Sequence, residues 1–285
     1  MFLIYILIFI FGLCIGSFLN VVILRLRTGE EFVKGRSHCP QCGHVLKWYE
    51  NVPLLSFIIL RGKCSACQQK ISWQYPIVEF VTGILFLISF IIVFSFDQPS
   101  LASFFSNEWI EGININIYSI TLLLYYFITI SFLILIFVFD LKYYLIPDKI
   151  TLPAIITLLI FQAVLLILKN NSNYSLLITH YSLFIFSAII ISGFFWLQYI
   201  LSRGKWIGGG DIRLGFLMGL ILGWPLGLVA LSLAYILGAI AALPLLVLRK
   251  KTMKSEVPFG VFLTTATFIA MFWGNKILDW YLSFF

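Results

Sequence analysis

The chain has 285 residues, 61% hydrophobic and 11% charged, with a formal net charge of +7 and a mean hydropathy of +1.03. Soluble domains carry roughly 45–50% apolar and about 25% charged residues, so the composition excludes a soluble globular protein and places the chain in the lipid bilayer. Only 12 residues are acidic, so each carboxylate can be questioned for function.

A bilayer core needs about 20 apolar residues per helix. Apolar runs predict spans near 1–24, 76–96, 117–139, 150–168 and 179–201. The run 212–248 is too long for one helix, and Gly223-Trp224-Pro225 breaks it in two; a last span covers 258–280. The expected fold class is an all-α polytopic membrane protein with about eight transmembrane helices. No basic residue precedes the first run, and Arg25 and Arg27 follow it, so it reads as a retained helix and not a signal peptide.

Lys and Arg orient the spans. The 25–75 loop holds Arg25, Arg27, Lys34, Arg36, Lys47, Arg61, Lys63 and Lys70. Lys142 and Lys149, then Arg203, Lys205 and Arg213, then the run 249–254 follow on alternate loops, leaving only Lys169 and Lys276 opposite. The facing loop 97–116 holds Asp97, Glu108 and Glu111 and no base. Both termini are therefore expected outside, with the basic loops cytoplasmic. Topology and anionic headgroups account for the positive charge, and no nucleic-acid partner is implied.

Three domains follow: a first transmembrane helix over 1–24, a cytoplasmic loop domain over 25–75, and a seven-helix membrane core over 76–285. The loop contains Cys39, Cys42, Cys64 and Cys67 in a C-x2-C-x21-C-x2-C array. Each C-x2-C turn offers two thiolates, and two turns make a tetrahedral zinc site. A reducing cytosol argues against disulfides, and two pairs without a βαβ context argue against a thioredoxin-type redox motif. His38 and His44 flank the first turn, where solvated or supporting roles fit them. Cys14 lies in the first span and is expected to pack there. A site closed by four cysteines leaves no position for water, so zinc would be structural and the chemistry lies elsewhere.

Four acids stand at cytoplasmic ends of spans: Glu79, Asp140, Asp148 and Asp211. Asp148 opens the fourth span, where capping suffices. Asp211 follows three glycines at the start of the sixth, and capping fits it too. The glycines Gly208, Gly209 and Gly210 exceed what a cap needs, and allow close backbone approach or positive φ. No Gly-Lys-Ser/Thr follows, so this is no phosphate loop. Asp140 ends the third span, where its charge opposes the helix dipole. The helix-end fields predict that Asp211 ionises first and Asp140 keeps its proton. Two carboxylates in opposed environments at one membrane face suit an acid–base pair that activates water and polarises a carbonyl.

The motifs "GSFLNVVILRL" (16–26), "SHCPQCGHVLKWYENVPLLSFIILRGKCSACQQKISWQYPIVE" (37–79), "FDLKYYLIPDKITLP" (139–153), "GGGDIRLGFLMGLILGW" (208–224) and "VPFGVFL" (257–263) together resemble the type IV prepilin peptidases, bifunctional leader peptidase/N-methyltransferases. The resemblance runs in order along nearly the whole chain. It implies an aspartic membrane peptidase of the GxGD type in a bacterial cytoplasmic membrane, with Asp211 and Asp140 catalytic. Many members carry a further aspartate two positions after the first; Lys142 stands there, which focuses the assignment on Asp140. Arg213 replaces a common lysine and keeps its charge, and valine replaces a second proline in "VPFGVFL". The implied substrates are prepilins or pseudopilins with basic cytoplasmic leaders. The implied methyl donor is S-adenosylmethionine, for which no soluble-type glycine fingerprint is present.

Two other classes compete. A transporter would place acids at mid-span, where none lies. A scaffold with a zinc loop in a secretion or pilus assembly would leave Asp140 unexplained. Loss of the leader from a prepilin presented to the protein separates all three.

Overall fold

The structure, a computed structural model, describes residues 2–30, 35–95, 117–169, 174–247 and 257–284. Lys34, the acids Asp97, Glu108 and Glu111 and the basic run 249–254, used above for orientation, lie outside the described residues. The elements in chain order are α1 (Phe2–Thr28), a 3-10 turn (Trp48–Asn51), α2 (Leu55–Ile59), α3 (Gln74–Ser95), α4 (Ile117–Tyr143), α5 (Asp148–Lys169), α6 (Tyr174–Ser202), α7 (Gly209–Leu222), α8 (Leu226–Val247) and α9 (Phe259–Leu282). Among the described residues there is no β-strand, only the isolated bridges His38 to Val45 and Lys63 to Lys70.

A helix forms at each of the eight expected positions, and among the described residues seven are long and apolar enough to cross a bilayer. The exception is α7. Its 14 residues span about 21 Å at 1.5 Å per residue, short of a core of about 30 Å. The break before α8 falls at the expected residues: Gly223 takes φ +67 and donates its N–H to Gly219 O at 2.9 Å, closing the helix with a conformation glycine adopts freely.

The chain divides into two compact units, Met1–Ile134 and Leu135–Phe285, with the boundary inside α4. In the first, α1 and α3 run against each other, and Phe86 of α3 stacks on Phe127 of α4 with centroids 4.0 Å apart. Asn20 of α1, 1% exposed, bonds across to α3: its amide donates to Tyr75 O at 3.2 Å and its oxygen accepts from Gln74 at 3.0 Å. Cys14, expected to pack, is exposed.

In the second unit α7 is the centre. It packs on α6 and is flanked by α5, α8 and α9, and Leu214 through Leu222 are buried except Phe216. A Cβ at Gly219 would stand 2.4 Å from Ala188 Cα, so only glycine lets α6 and α7 meet backbone to backbone. Gln162 of α5 donates to Leu220 O, fastening α7 from the other side. A helix this short keeps its place because neighbours surround it, which holds the residues at its N-terminus in register with the ends of α4, α5 and α9.

Candidate active site and metal centre

Asp140 lies in the last turn of α4 and is 5% exposed. Its position at a helix C-terminus is unfavourable for an anion, but α9 compensates. The N–H of Val261 donates to Asp140 Oδ2 at 3.0 Å, and Gly260 N–H also bonds the carboxylate. Both belong to the first turn of α9, whose free N–H groups and positive dipole end favour a carboxylate. A Cβ at Gly260 would stand 2.8 Å from Asp140 Oδ2 and 3.0 Å from Ile146 Cδ1. Glycine is therefore required for the α9 backbone to reach the acid.

Asp211 is the third residue of α7, not its cap; the N-cap is Gly208. The Gly208 N–H donates back to Asp211 Oδ2 at 3.2 Å. Of the three glycines only Gly210 needs to be one, because its Cβ would stand 2.9 Å from Ile146 Cβ. Ile146, in the α4–α5 turn and 9% exposed, is thus wedged between Gly210 beside one acid and Gly260 beside the other. The two carboxylates come close enough for the Asp140 charge to act on Asp211. The helix-end expectation for Asp211, that its position at an N-terminus favours early ionisation, does not hold for this residue, which lies outside the seven long helices. Burial pushes its carboxyl up, the Asp140 charge adds to this, and the Gly208 N–H offsets only part, leaving it at about 6. Desolvation and a like charge outweigh a helix terminus, whose effect is small.

Asp148 opens α5, is half-exposed, and pairs with Arg213 of α7. Such a pair is worth ~1 kcal/mol or less. Asp148→Asn, which still caps, is expected to lower peptide cleavage by less than about tenfold, measured as kcat/KM beside Asp140→Asn. Lys142 is exposed on α4. Residues that sequence reasoning missed are Ile146, the α9 N–H donors, and Tyr235, which donates to Gln198 Oε1 at 3.1 Å and feels the Asp211 charge. The "VPFGVFL" motif was the one available signal for the α9 contact.

The four cysteines lie in the first unit. Their sulfurs are all within 4.8 Å of one another, Cys39 and Cys67 at 4.0 Å, and all are free thiols. Zinc–sulfur bonds of ~2.3 Å in a tetrahedron give edges of about 3.8 Å, so the cluster fits zinc. The two turns repeat one geometry. Cys39 N–H donates to His44 O and Gly43 N–H to Cys39 O, both at 2.9 Å; Cys64 N–H donates to Gln69 O at 2.9 Å and Gln68 N–H to Cys64 O at 3.0 Å. Gly43 and Gln68, at matching positions, both have positive φ. Backbone N–H groups of Cys67 and Ala66 pull the Cys64 thiol down to about 6. At Cys42 the His44 N–H is outweighed by burial and hydrogen bonds among the sulfurs, which push the thiol up to about 11. One thiolate therefore forms readily, and the metal must displace the protons the cluster shares. Glu50, unremarked in the sequence, is 7% exposed, accepts from Lys47 N–H at 2.7 Å and meets His44 at 3.4 Å. The Lys47 N–H and the Ser65 hydroxyl hold its carboxyl below the ordinary range, so Glu50 ties the 3-10 turn to both cysteine turns. Glu79 also belongs to this unit, accepting the Leu54 N–H at 2.8 Å.

Residues 10–93 match the Bacterial Peptidase A24 N-terminal domain, and residues 127–243 match the Type IV leader peptidase family. Three curated relatives are each named Prepilin leader peptidase/N-methyltransferase. That of Aeromonas salmonicida (strain A449) is 30% identical over 97% of this chain and 93% of its own length. That of Aeromonas hydrophila is 29% identical over 98% and 94%, and that of Pseudomonas aeruginosa 29% over 96% and 91%. No solved structure matches the chain.

Proposed function

This chain belongs to the type IV leader peptidase family, and we propose that it cleaves the basic leader from prepilins or pseudopilins and then N-methylates the new terminus. It is a multi-pass protein of the bacterial inner membrane. The observation that carries the peptidase reading is the convergence of Asp140 and Asp211 on either side of Ile146. Both acids, the zinc loop over 25–75 and the basic loops face the cytoplasm in this reading, the termini face outside, and 76–285 forms the peptidase core. Zinc on Cys39, Cys42, Cys64 and Cys67 is structural. S-adenosylmethionine supplies the methyl group.

In this reading Asp140, which accepts the α9 N–H groups, serves as the anion, and Asp211 keeps the proton. Asp140 takes a proton from water as the water oxygen attacks the scissile carbonyl. Asp211 donates a hydrogen bond to the carbonyl oxygen as charge develops there. The proton on Asp140 then passes to the departing amine. The test is full-length protein in nanodiscs with a prepilin: mass spectrometry should show leader loss, then gain of one methyl on the mature terminus when S-adenosylmethionine is added.

The pH dependence follows from the shared proton. Activity is expected to rise as the pair loses its first proton and to fall as it loses the second, a bell belonging to both residues. Asp211 is raised, so the second proton is present below about 6 and lost above it in the free protein. Bound substrate excludes water and raises that value further, so the falling limb of kcat should lie at higher pH than that of kcat/KM. Profiles of both parameters check this; coincident limbs, or no falling limb, would count against the proton on Asp211.

A further inference from the structure

Leader cleavage uses residues of the second unit and leaves a feature of the first without a role. Along one face of α1 lies a cavity of about 370 Å³, lined by Ser17, Phe18, Val21 and Arg25 and closed by Asn51 and Pro53 of the loop. With Cys14, which also lines it, Ser17, Val21 and Arg25 recur three, four and four apart and form one stripe, with Phe18 beside it. The end nearest the loop is polar. Arg25, 5% exposed, donates to Gly35 O at 3.0 Å and to Arg36 O at 3.2 Å, which pins the start of the loop beside the groove. Phe18 and Val21 make the wall between Arg25 and Ser17 apolar.

Behind the wall stands Glu79, 7% exposed. It accepts the Leu54 N–H at 2.8 Å and the Ser17 hydroxyl, so it reaches the groove through a residue that lines it. Leu54 follows Pro53 of the rim and has φ +59, a conformation unfavourable for leucine. Strain of this kind persists where surrounding structure imposes it, and it concentrates at functional sites. Cavity, buried carboxylate and strained rim residue thus coincide. The volume is within the ~300–1,000 Å³ usual for small-molecule sites, and a cationic end beside an apolar wall suits a ligand with a carboxylate and an aromatic base.

We infer that this groove is the methyl-transfer site, holding S-adenosylmethionine with the Arg25 charge toward its carboxylate, Ser17 toward the incoming amine, and Glu79 as a positioning residue behind Ser17. The inference rests on the methyltransferase reading above. An α-amino group has a pKa of about 7.7–8.0, so the new terminus must shed a proton before it can attack. Ser17 takes that proton as its own passes to Glu79. The amine lone pair then attacks the sulfonium methyl carbon; the nitrogen–carbon bond forms, the carbon–sulfur bond breaks, and sulfur keeps the electron pair, leaving S-adenosylhomocysteine.

Cys14 lines the same groove and is exposed, so it reports on occupancy in the wild-type protein. Zinc-loaded full-length protein in nanodiscs is alkylated with N-ethylmaleimide, and modification of the Cys14 peptide is followed by mass spectrometry. S-adenosylhomocysteine at about ten times its Kd, measured by equilibrium dialysis, is expected to slow that modification about tenfold. Glu79→Gln should keep the affinity for S-adenosylhomocysteine while lowering the methylation kcat by about 100-fold; a purely structural Glu79 would lose affinity as well. Binding without protection of Cys14, or Glu79→Gln with the wild-type kcat, overturns the assignment. So does protection by lipid alone with no further slowing by S-adenosylhomocysteine, which would make this a lipid groove. If the wild-type protein cleaves leaders but neither binds S-adenosylhomocysteine nor methylates, the methyltransferase reading itself falls, and this site with it.

Discussion

Asp140→Asn and Asp211→Asn are each expected to reduce leader cleavage by about 10³-fold or more, within the range general acid–base groups contribute, while the protein stays folded in the membrane. Asparagine preserves the architecture around both acids. At 140 its amide oxygen still accepts from Val261 N–H, and at 211 from Gly208 N–H. What is lost is the charge that takes a proton from water, or the proton that polarises the carbonyl. The pair acts as a unit, so the double variant should be little worse than either single one. Asp148→Asn serves as the matched control. Cleavage within about tenfold of wild type in either catalytic variant, with the protein correctly inserted, would remove that residue from the mechanism.

Removal of zinc should unfold the loop between α1 and α3. Metal analysis of the purified protein is expected to give about one zinc per chain, as a single four-cysteine site requires. Among its described residues the loop has only a 3-10 turn and the five-residue α2 as helical structure, too little to build its own core. Structural zinc contributes about 10–16 kcal/mol of apparent binding energy in comparable small sites, enough to decide whether such a segment folds. Chelation, or Cys39→Ser with Cys64→Ser, should open the loop to limited proteolysis near Arg61 and Lys63. The second unit should resist digestion under the same conditions. An intact, protease-resistant loop with reduced cysteines and no bound metal would refute the zinc site. If the groove beside α1 is the methyl-transfer site, chelation should also weaken methylation more than cleavage, because Asn51 and Pro53 belong to the loop.

Much of this was legible in the residues. Apolar run length depends on local composition and on the fixed thickness of a bilayer, so the membrane helices and the break at Gly223-Trp224-Pro225 needed no tertiary information. The cysteine quartet was equally plain, because each pair acts within a four-residue turn. Asp140 stood out because a carboxylate at a helix C-terminus contradicts a local electrostatic rule.

Only the tertiary structure shows how that contradiction is resolved. The N–H of Val261 reaches Asp140 from 121 positions away, so one helix's positive end cancels another's negative end. Asp211 fits a cap when read along its own helix, yet burial and the charge of Asp140 govern it. Glu50 and Glu79 were ordinary acids until the fold placed backbone N–H groups against them. Local periodicity fixes which segments are helices, since each residue contributes independently to transfer into lipid. Which helix ends meet depends on close packing around the short α7, where Gly210, Gly219 and Gly260 matter for the backbones they let approach. That pairwise fit has no signature along the chain, and it is what turns two separated aspartates into one site.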